Sequence, residues 1–104
     1  MPGIDFHRLR AEITIEQVLS QLGFQPCSRS RNQLRGPCPV HRSTNQGSRI
    51  FSVNVSSGRY YCHKCHSKGN ALELWAAVHQ LPIYDAAIDL CQALGHEIPW
   101  LNRA

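Results

Sequence analysis

The feature that most constrains this sequence is a pair of short cysteine and histidine motifs in its middle. Cys38-Pro39-Val40-His41 places a cysteine and a histidine at a two-residue gap, and Cys62-His63-Lys64-Cys65 repeats the gap with two cysteines, twenty residues further on. A two-residue gap lets a tight turn point both side chains at one position. Two such turns would together supply three thiolates and one imidazole, a tetrahedral ligand set that suits Zn²⁺. The sequence therefore predicts one zinc ion, bound by Cys38, His41, Cys62 and Cys65.

The other cysteines and histidines leave one alternative open at the fourth ligand. His66 follows the second motif directly and could replace His41, which we favour because it alone lies at the two-residue gap from Cys38. Cys27 has no paired neighbour, and Cys91 falls on the inward stripe of the predicted last helix, where a small core residue is expected. The alternative is that all five cysteines are buried thiols that bind no metal. We disfavour it, because it does not explain two motifs with the same two-residue gap.

The predicted zinc site is closed, because four protein ligands leave no position for water. The metal is therefore expected to stabilise the fold and not to activate a nucleophile. Such stabilisation matters in a chain of 104 residues, since a small ribbon buries too little apolar surface to hold itself together.

The charged residues are unevenly distributed along the chain. The formal net charge is +4, and all seven acidic residues lie before Gln17 or after Leu72. Bound zinc with three thiolates has a charge of about −1 and removes little of the positive charge between them. This field attracts polyanions, most commonly nucleic acid, although a solvated basic surface without a partner remains the alternative. The acid-free stretch from Gln17 to Leu72 holds eight of the eleven basic residues, namely Arg29, Arg31, Arg35, Arg42, Arg49, Arg59, Lys64 and Lys68.

The middle of the chain has the pattern of short strands and turns. Residues 49–55 alternate at period two, residues 59–62 are β-prone, and Ser56-Ser57-Gly58 between them is typical of a hairpin connection. Residues 32–35 are a candidate third strand. Two motifs joined across a β-hairpin predict a zinc ribbon.

The two ends of the chain have the apolar spacing of helices. Thr14 followed by Gln17 is a capping-box signature, and Pro82 separates two apolar stripes near the other end. We therefore predict an α+β fold, a zinc ribbon with a small antiparallel sheet, flanked by an N-terminal helix and two C-terminal helices. Ile4, Phe6 and Leu9 are a candidate short turn of helix before the N-terminal helix. The predicted single domain spans residues 1–104, with a helical lead at 4–24, the ribbon at 25–69, a helical pair at 70–95 and a tail at 96–104 that folds back on the helices.

No segment of the sequence has the character of a membrane span or a secretion signal. No run approaches the roughly 18 apolar residues of a spanning helix, and the first residues lack an apolar core. We expect a location in the cytoplasm, where paired cysteines more often hold metal than form disulfides.

These motifs resemble the CHC2-type zinc-binding domain of bacterial DnaG-type primases, and the resemblance covers most of the chain. Residues 34–41 are close to the family's Gly-x-Cys-Pro-x-His run, and Phe51-Ser52-Val53 looks like its Phe-x-Val strand. Residues 60–71 are similar to its aromatic-x-Cys-x-x-Cys-x-x-x-Gly-Asp-Ala segment. The helix at 13–23 and the two helices after Gly69 also match the family arrangement.

The sequence departs from the family in its loop, in its helix cap and in its extent. The loop between His41 and Phe51 is longer than usual, Arg49-Ile50 stands where Pro-Ser is common, and Asn70 replaces the common Asp. The chain lacks the catalytic Toprim domain, whose acidic cluster holds Mg²⁺, so we predict a non-catalytic module. It is a fragment, a separate subunit or a stand-alone relative of the kind found on mobile elements, and these alternatives stay open.

The resemblance implies binding of single-stranded template DNA during primer synthesis or replication, with nucleoid association when bound. Basic residues would contact phosphates, and exposed aromatic rings would stack on bases. Because neighbouring strand residues point to opposite faces, only one of Tyr60 and Tyr61 can stack, and Phe51 and Val53 are expected in the core. The candidate nucleic-acid contacts are Arg35, Arg42, Arg49, Arg59, Tyr60, Tyr61, Lys64 and Lys68.

A second interpretation is a zinc ribbon that contacts proteins. Its basic face would then meet an acidic surface on a primase, polymerase, helicase or mobile-element protein. An enzyme in its own right is disfavoured, because the sequence offers neither an acidic cluster nor an open metal site.

Overall fold

The computed structural model describes residues 3–41 and 49–101 and has a mixed α+β architecture. Helices from both ends of the chain pack beside a five-stranded antiparallel sheet formed by the middle. The helices are α1 (Phe6–Glu12), α2 (Ile15–Gln21), α3 (Ala71–His79) and α4 (Ile83–Leu94), and the strands are β1 (Ser28–Ser30), β2 (Gln33–Gly36), β3 (Phe51–Asn54), β4 (Arg59–Cys62) and β5 (Lys68–Gly69).

The sheet is a meander in which each strand pairs with its neighbour in sequence, in the order β1-β2-β3-β4-β5. The predicted β3–β4 hairpin and the third strand are confirmed, with Val53 opposite both Leu34 and Tyr60. The edge strands β1 and β5 were not predicted. They have three and two residues, too few for an alternating pattern to be visible in the sequence.

The N-terminal lead forms two short helices, and α1 contains Phe6 and Leu9 of the candidate helical turn, whereas Ile4 lies ahead of it in a β-bridge. Ile13 is extended, with φ −111° and ψ 123°, which interrupts the helix. Thr14 then caps α2 in the predicted capping box: its hydroxyl accepts from the Gln17 N–H at 3.2 Å, and Gln17 Oε1 accepts from the Thr14 N–H at 2.8 Å. An N-cap residue needs non-helical backbone angles, so the cap itself divides the segment.

The C-terminal helical pair forms as predicted on either side of Pro82. Gln80 ends α3 in a left-handed conformation, and Gly95 ends α4 in the same way. The Trp75 indole N–H donates to Asp89 Oδ2 at 2.9 Å, which ties α3 to α4.

One hydrophobic core joins the helices to one face of the sheet. Phe51 and Val53 are fully buried there, as expected, and Cys91 is a buried core residue on α4. Their neighbours in the cluster include Val18 of α2 and Leu74 of α3. The ribbon therefore shares its core with the helices on both sides.

The tail folds back: Ile98 packs against the core that the helices share, and the backbone of the tail pairs with the segment ahead of α1. Ile4 forms an antiparallel bridge with Trp100. The Asp5 N–H donates to the Pro99 carbonyl and the Leu101 N–H to the Gly3 carbonyl, both at 2.8 Å. Across residues 3–41 and 49–101, no helix is long and apolar enough to cross a membrane.

Candidate metal centre and nucleic-acid interface

The four predicted zinc ligands converge on one point. Their ligand atoms all lie within 4.8 Å of one another. Cys38 Sγ lies 3.9 Å from Cys65 Sγ, and Cys62 Sγ lies 3.6 Å from His41 Nδ1. In a tetrahedral zinc site, sulfur ligands lie about 3.8 Å apart, and a sulfur and a nitrogen about 3.6 Å apart. A disulfide would need about 2.05 Å, so the spacing fits a metal and not a bridge.

The sheet brings the two motifs together. Cys38 and His41 follow the end of β2, Cys62 is the last residue of β4, and Cys65 lies in the turn to β5. Because β2 and β4 both run antiparallel to β3, their last residues lie on either side of Phe51, at the same end of the sheet. The strand register therefore holds the two motifs close together, although twenty residues separate them in the sequence.

Backbone hydrogen bonds lock the second motif. The N–H groups of Lys64 and Cys65 both donate to Cys62 Sγ at 3.4 Å. The His66 N–H donates to the Cys62 carbonyl at 2.9 Å, and the Cys62 N–H donates to the Ser67 carbonyl at 2.9 Å. The Cys62 sulfur is therefore held in place by the protein alone.

The environment treats two of the thiols differently. Burial raises the pKa of Cys38 to about 12, so its thiolate needs a nearby positive charge such as Zn²⁺. Burial also opposes ionisation of Cys62, but hydrogen bonds from the Cys65 and Lys64 backbones and from the neighbouring thiols outweigh it and lower its pKa. The surroundings thus favour ionisation of Cys62 and oppose that of Cys38.

His41, and not His66, joins the cluster. Its Nε2 is buried and has no hydrogen-bond partner in the described ranges, so within them the fold gives this imidazole no polar role apart from the cluster. His66 instead contacts Tyr61, with Nδ1 and the Tyr61 hydroxyl 3.0 Å apart. The group Cys38, His41, Cys62 and Cys65 is positioned to bind one zinc ion, and its four protein ligands would complete the tetrahedron.

The solvent side of the sheet carries two cross-strand rows of polar residues, which we call the ribbon face. The first row crosses β2 to β5, because Arg35 pairs with Ser52, Ser52 with Tyr61, and Tyr61 with Lys68. The second row crosses β2 to β4 and consists of Gln33, Asn54 and Arg59. A shallow depression of about 690 Å³ lies on this face.

Within the described part of the chain, the basic side chains of the ribbon face form no ion pairs with acidic residues. Arg35, Arg59 and Lys68 form no ion pair with any side chain that the structure describes. Glu73 borders the depression, but its Oε1 accepts from the Asn70 N–H at 2.9 Å and caps α3. Among the described residues, Glu73 thus sets one negative charge against the three cations of the ribbon face, which keeps a net positive charge.

Four of the eight candidate nucleic-acid contacts lie on the ribbon face: Arg35, Arg59, Tyr61 and Lys68. Arg49 and Lys64 are exposed but lie outside the two rows, and Arg42 lies outside the described residues.

The prediction that Tyr60 contacts nucleic acid is wrong. Tyr60 is only 4% exposed and packs against Phe51 at 5.6 Å between ring centroids, so it cannot stack on a base. Strand alternation allows only one tyrosine of the pair to stack on a base, and Tyr61 is the one on the solvent side of the sheet.

Sequence reasoning missed the polar residues between the basic ones. Gln33, Ser52 and Asn54 complete the rows of the ribbon face. Period-two alternation on β3 could have placed Ser52 and Asn54 on the solvent side, but their alignment with Gln33 depends on register, which the sequence does not specify.

Comparison with known proteins agrees with this geometry. A solved structure described as the Aquifex aeolicus primase, with its zinc-binding and RNA polymerase domains, superimposes with a TM-score of 0.70 at 25% sequence identity. The match covers 93% of this chain and 23% of that one, so the chain spans under a quarter of the Aquifex chain's length. No curated protein matches the sequence. A sequence model of the CHC2 zinc finger matches residues 3–104. The chain therefore belongs to the CHC2 zinc finger family and has the fold of a primase zinc-binding domain.

Proposed function

We propose that this chain is a zinc-dependent, non-catalytic module that binds single-stranded template DNA in primer synthesis or replication. The observation that carries the proposal is the ribbon face, on which an aromatic ring lies in one row with basic side chains at both ends. We take residues 1–104 as one functional domain.

The first row of the ribbon face has the two components that single-strand binding requires. Arg35 and Lys68 lie three strand spacings apart, about 14 Å, which suits contacts to phosphates about two nucleotides apart in one strand. Tyr61 lies between them and is half-buried, so its ring is supported while part of it stays accessible. Stacking contributes about 1–3 kcal/mol per base, and phosphate contacts add a term that weakens as salt rises.

The metal centre supports a structural role. No acidic residue of the described ranges joins the cysteine and histidine cluster, and its four ligands leave no position for a substrate. Nucleotide transfer needs carboxylates that hold Mg²⁺. The proposed role of zinc is to keep the ribbon face in shape.

Catalysis would then reside in another domain of the same protein or in a partner. The Aquifex structure holds zinc-binding and RNA polymerase domains in one chain, and we propose that a primase, polymerase or helicase works with this module. The proposed location is the bacterial cytoplasm, at the nucleoid when the module is bound to DNA.

A fluorescence anisotropy titration with labelled single-stranded oligonucleotides, at several salt concentrations, tests the proposal. We expect binding at low salt that weakens as salt rises. Arg59→Gln and Lys68→Gln should each weaken binding and reduce the slope of log K against log salt by about 0.7. Arg8→Gln is the matched control, because it removes the same charge from an exposed position on α1, where Arg8 pairs with Glu12 and borders neither of the two depressions that Arg59 lines.

Two outcomes would overturn the proposal. One is no binding at low salt, and the other is binding with no salt dependence. An equal effect of Arg8→Gln and Arg59→Gln would show that net charge matters and that the ribbon face does not. If the unmodified chain does not bind DNA but captures a replication protein, and Arg59→Gln abolishes that capture, the protein-contact interpretation is favoured.

A further inference from the structure

The backbone of His66 lies in the left-handed region, with φ +63°. Residues with a Cβ adopt this conformation uncommonly, although histidine, asparagine and aspartate do so more often than most, and glycine adopts it without strain. The conformation closes the second metal motif, where the His66 N–H donates to the Cys62 carbonyl. A histidine at a position that glycine would fill more easily suggests that its side chain has a use.

The side chain of His66 reaches the aromatic ring of the ribbon face. Its Nδ1 lies 3.0 Å from the Tyr61 hydroxyl, and the two ring centroids lie 6.3 Å apart. His63 packs against the same tyrosine edge-on, with centroids 4.7 Å apart and planes at 78°. Tyr61 is thus restrained by two imidazoles, both exposed.

We propose that His66 is a positioning residue that holds the Tyr61 ring for stacking against one unpaired nucleobase. With the ring proton of His66 on Nε2, the tyrosine hydroxyl donates to Nδ1 and the side-chain torsions of Tyr61 are fixed. A ring held in its bound orientation loses less freedom when a base stacks on it, so the binding is tighter. The inference rests on the proposed DNA binding and deepens it, because it assigns a base-contacting role next to the phosphate-contacting Lys68.

Asparagine at position 66 separates the two properties of this residue. It tolerates left-handed backbone angles better than most residues do. Its Oδ1 is also the same number of bonds from Cβ as Nδ1 of histidine, so it can accept the same hydrogen bond. His66→Gly instead relieves the backbone and removes the acceptor.

The experiment measures anisotropy of the zinc-loaded protein with a single-stranded oligonucleotide and with an abasic strand of the same length. We expect His66→Gly and Tyr61→Phe each to weaken binding to the normal strand by about three- to tenfold, with the salt slope unchanged. The double variant should be no weaker than either single variant, since both remove one shared contact. His66→Asn should restore most of the affinity, and the abasic strand should bind all variants alike. Zinc content should stay at one per chain, and His66→Gly should be at least as stable as the parent.

Several results would overturn the inference. Parent-like affinity of Tyr61→Phe, which leaves the backbone untouched, would show that the hydrogen bond does not position the ring. Additive effects in the double variant, or equal losses on the abasic strand, would exclude a shared base contact. Zinc loss in His66→Gly would make its role structural. If the parent itself does not bind DNA, the proposed function fails first, and this outcome is visible before any variant is compared.

Discussion

At the scale of single residues, the metal centre depends on which thiols lie near which. Cys65 is exposed, yet its sulfur lies 3.9 Å from that of the buried Cys38. Cys27 is also exposed but lies outside the ligand group, and Cys91 is buried in the core. Exposure alone therefore does not distinguish a ligand from another cysteine, whereas the spacing of sulfur and nitrogen atoms does.

Cys65→Ser should remove zinc and destabilise the ribbon, because it leaves three ligands and an incomplete charge balance around the ion. Metal analysis of the purified protein and urea denaturation measure both effects. Cys27→Ser is the matched control and should keep one zinc per chain. Retention of stoichiometric zinc by Cys65→Ser would show that Cys65 is not a ligand.

At the scale of elements, the ribbon and the helical pair meet at two consecutive residues. Gly69 belongs to β5 and pairs with Tyr60, and Asn70 caps α3 through its hydrogen bond to the Glu73 N–H at 2.9 Å. Gly69 has φ +144°, and a Cβ there would lie 2.5 Å from Glu73 Oε1. The close approach of Glu73 thus requires glycine at this junction.

Gly69→Ala should destabilise the protein by about 2–4 kcal/mol, because it combines backbone strain with displacement of the Glu73 cap. Gly58→Ala is the matched control. Gly58 also has positive φ, +71°, but a Cβ there meets no atom within 4 Å, so only about 1 kcal/mol is expected. Chemical denaturation of both variants compares them, and equal losses would contradict the role of the junction.

The elements that the sequence predicted are those whose pattern repeats over several residues. The β3–β4 hairpin, α3 and α4 each bury a regular set of side chains. Pro82 separates the two helices, because proline is strongly disfavoured in the interior of a helix. The short β5 exists because the second metal motif and α3 hold its ends, which is tertiary information. At the site, spacing was enough to identify His41, whereas the neighbour of His66 became known only from the fold.

At the scale of the whole molecule, the metal centre and the hydrophobic core are adjacent. Cys38 and Cys62 are themselves members of the core cluster, together with Phe51. Phe51 lies directly opposite Cys62 in the sheet. Disorder at the metal centre would therefore expose apolar surface that the helices also use.

Removal of zinc with a chelator at neutral pH should lower the stability of the entire fold. We expect Tm to fall by more than about 10 °C and to recover when zinc is restored. Circular dichroism with metal analysis follows both changes, and magnesium added in place of zinc should not restore the fold. An unchanged melting curve in protein that contains no zinc would contradict the structural role of the metal.

The meander order of the sheet has a consequence for the rate at which the chain folds. Every strand pairs with its sequence neighbour, so most contacts form between residues that are close along the chain. The longest connection within the sheet joins β2 to β3, and Cys38 and His41 lie in it. Zinc bound to these two residues and to the turn after β4 would shorten the effective loop and lower its closure entropy. The ion would then accelerate the slowest pairing step as well as retard unfolding, making metal supply a determinant of how quickly newly made chains reach the folded state.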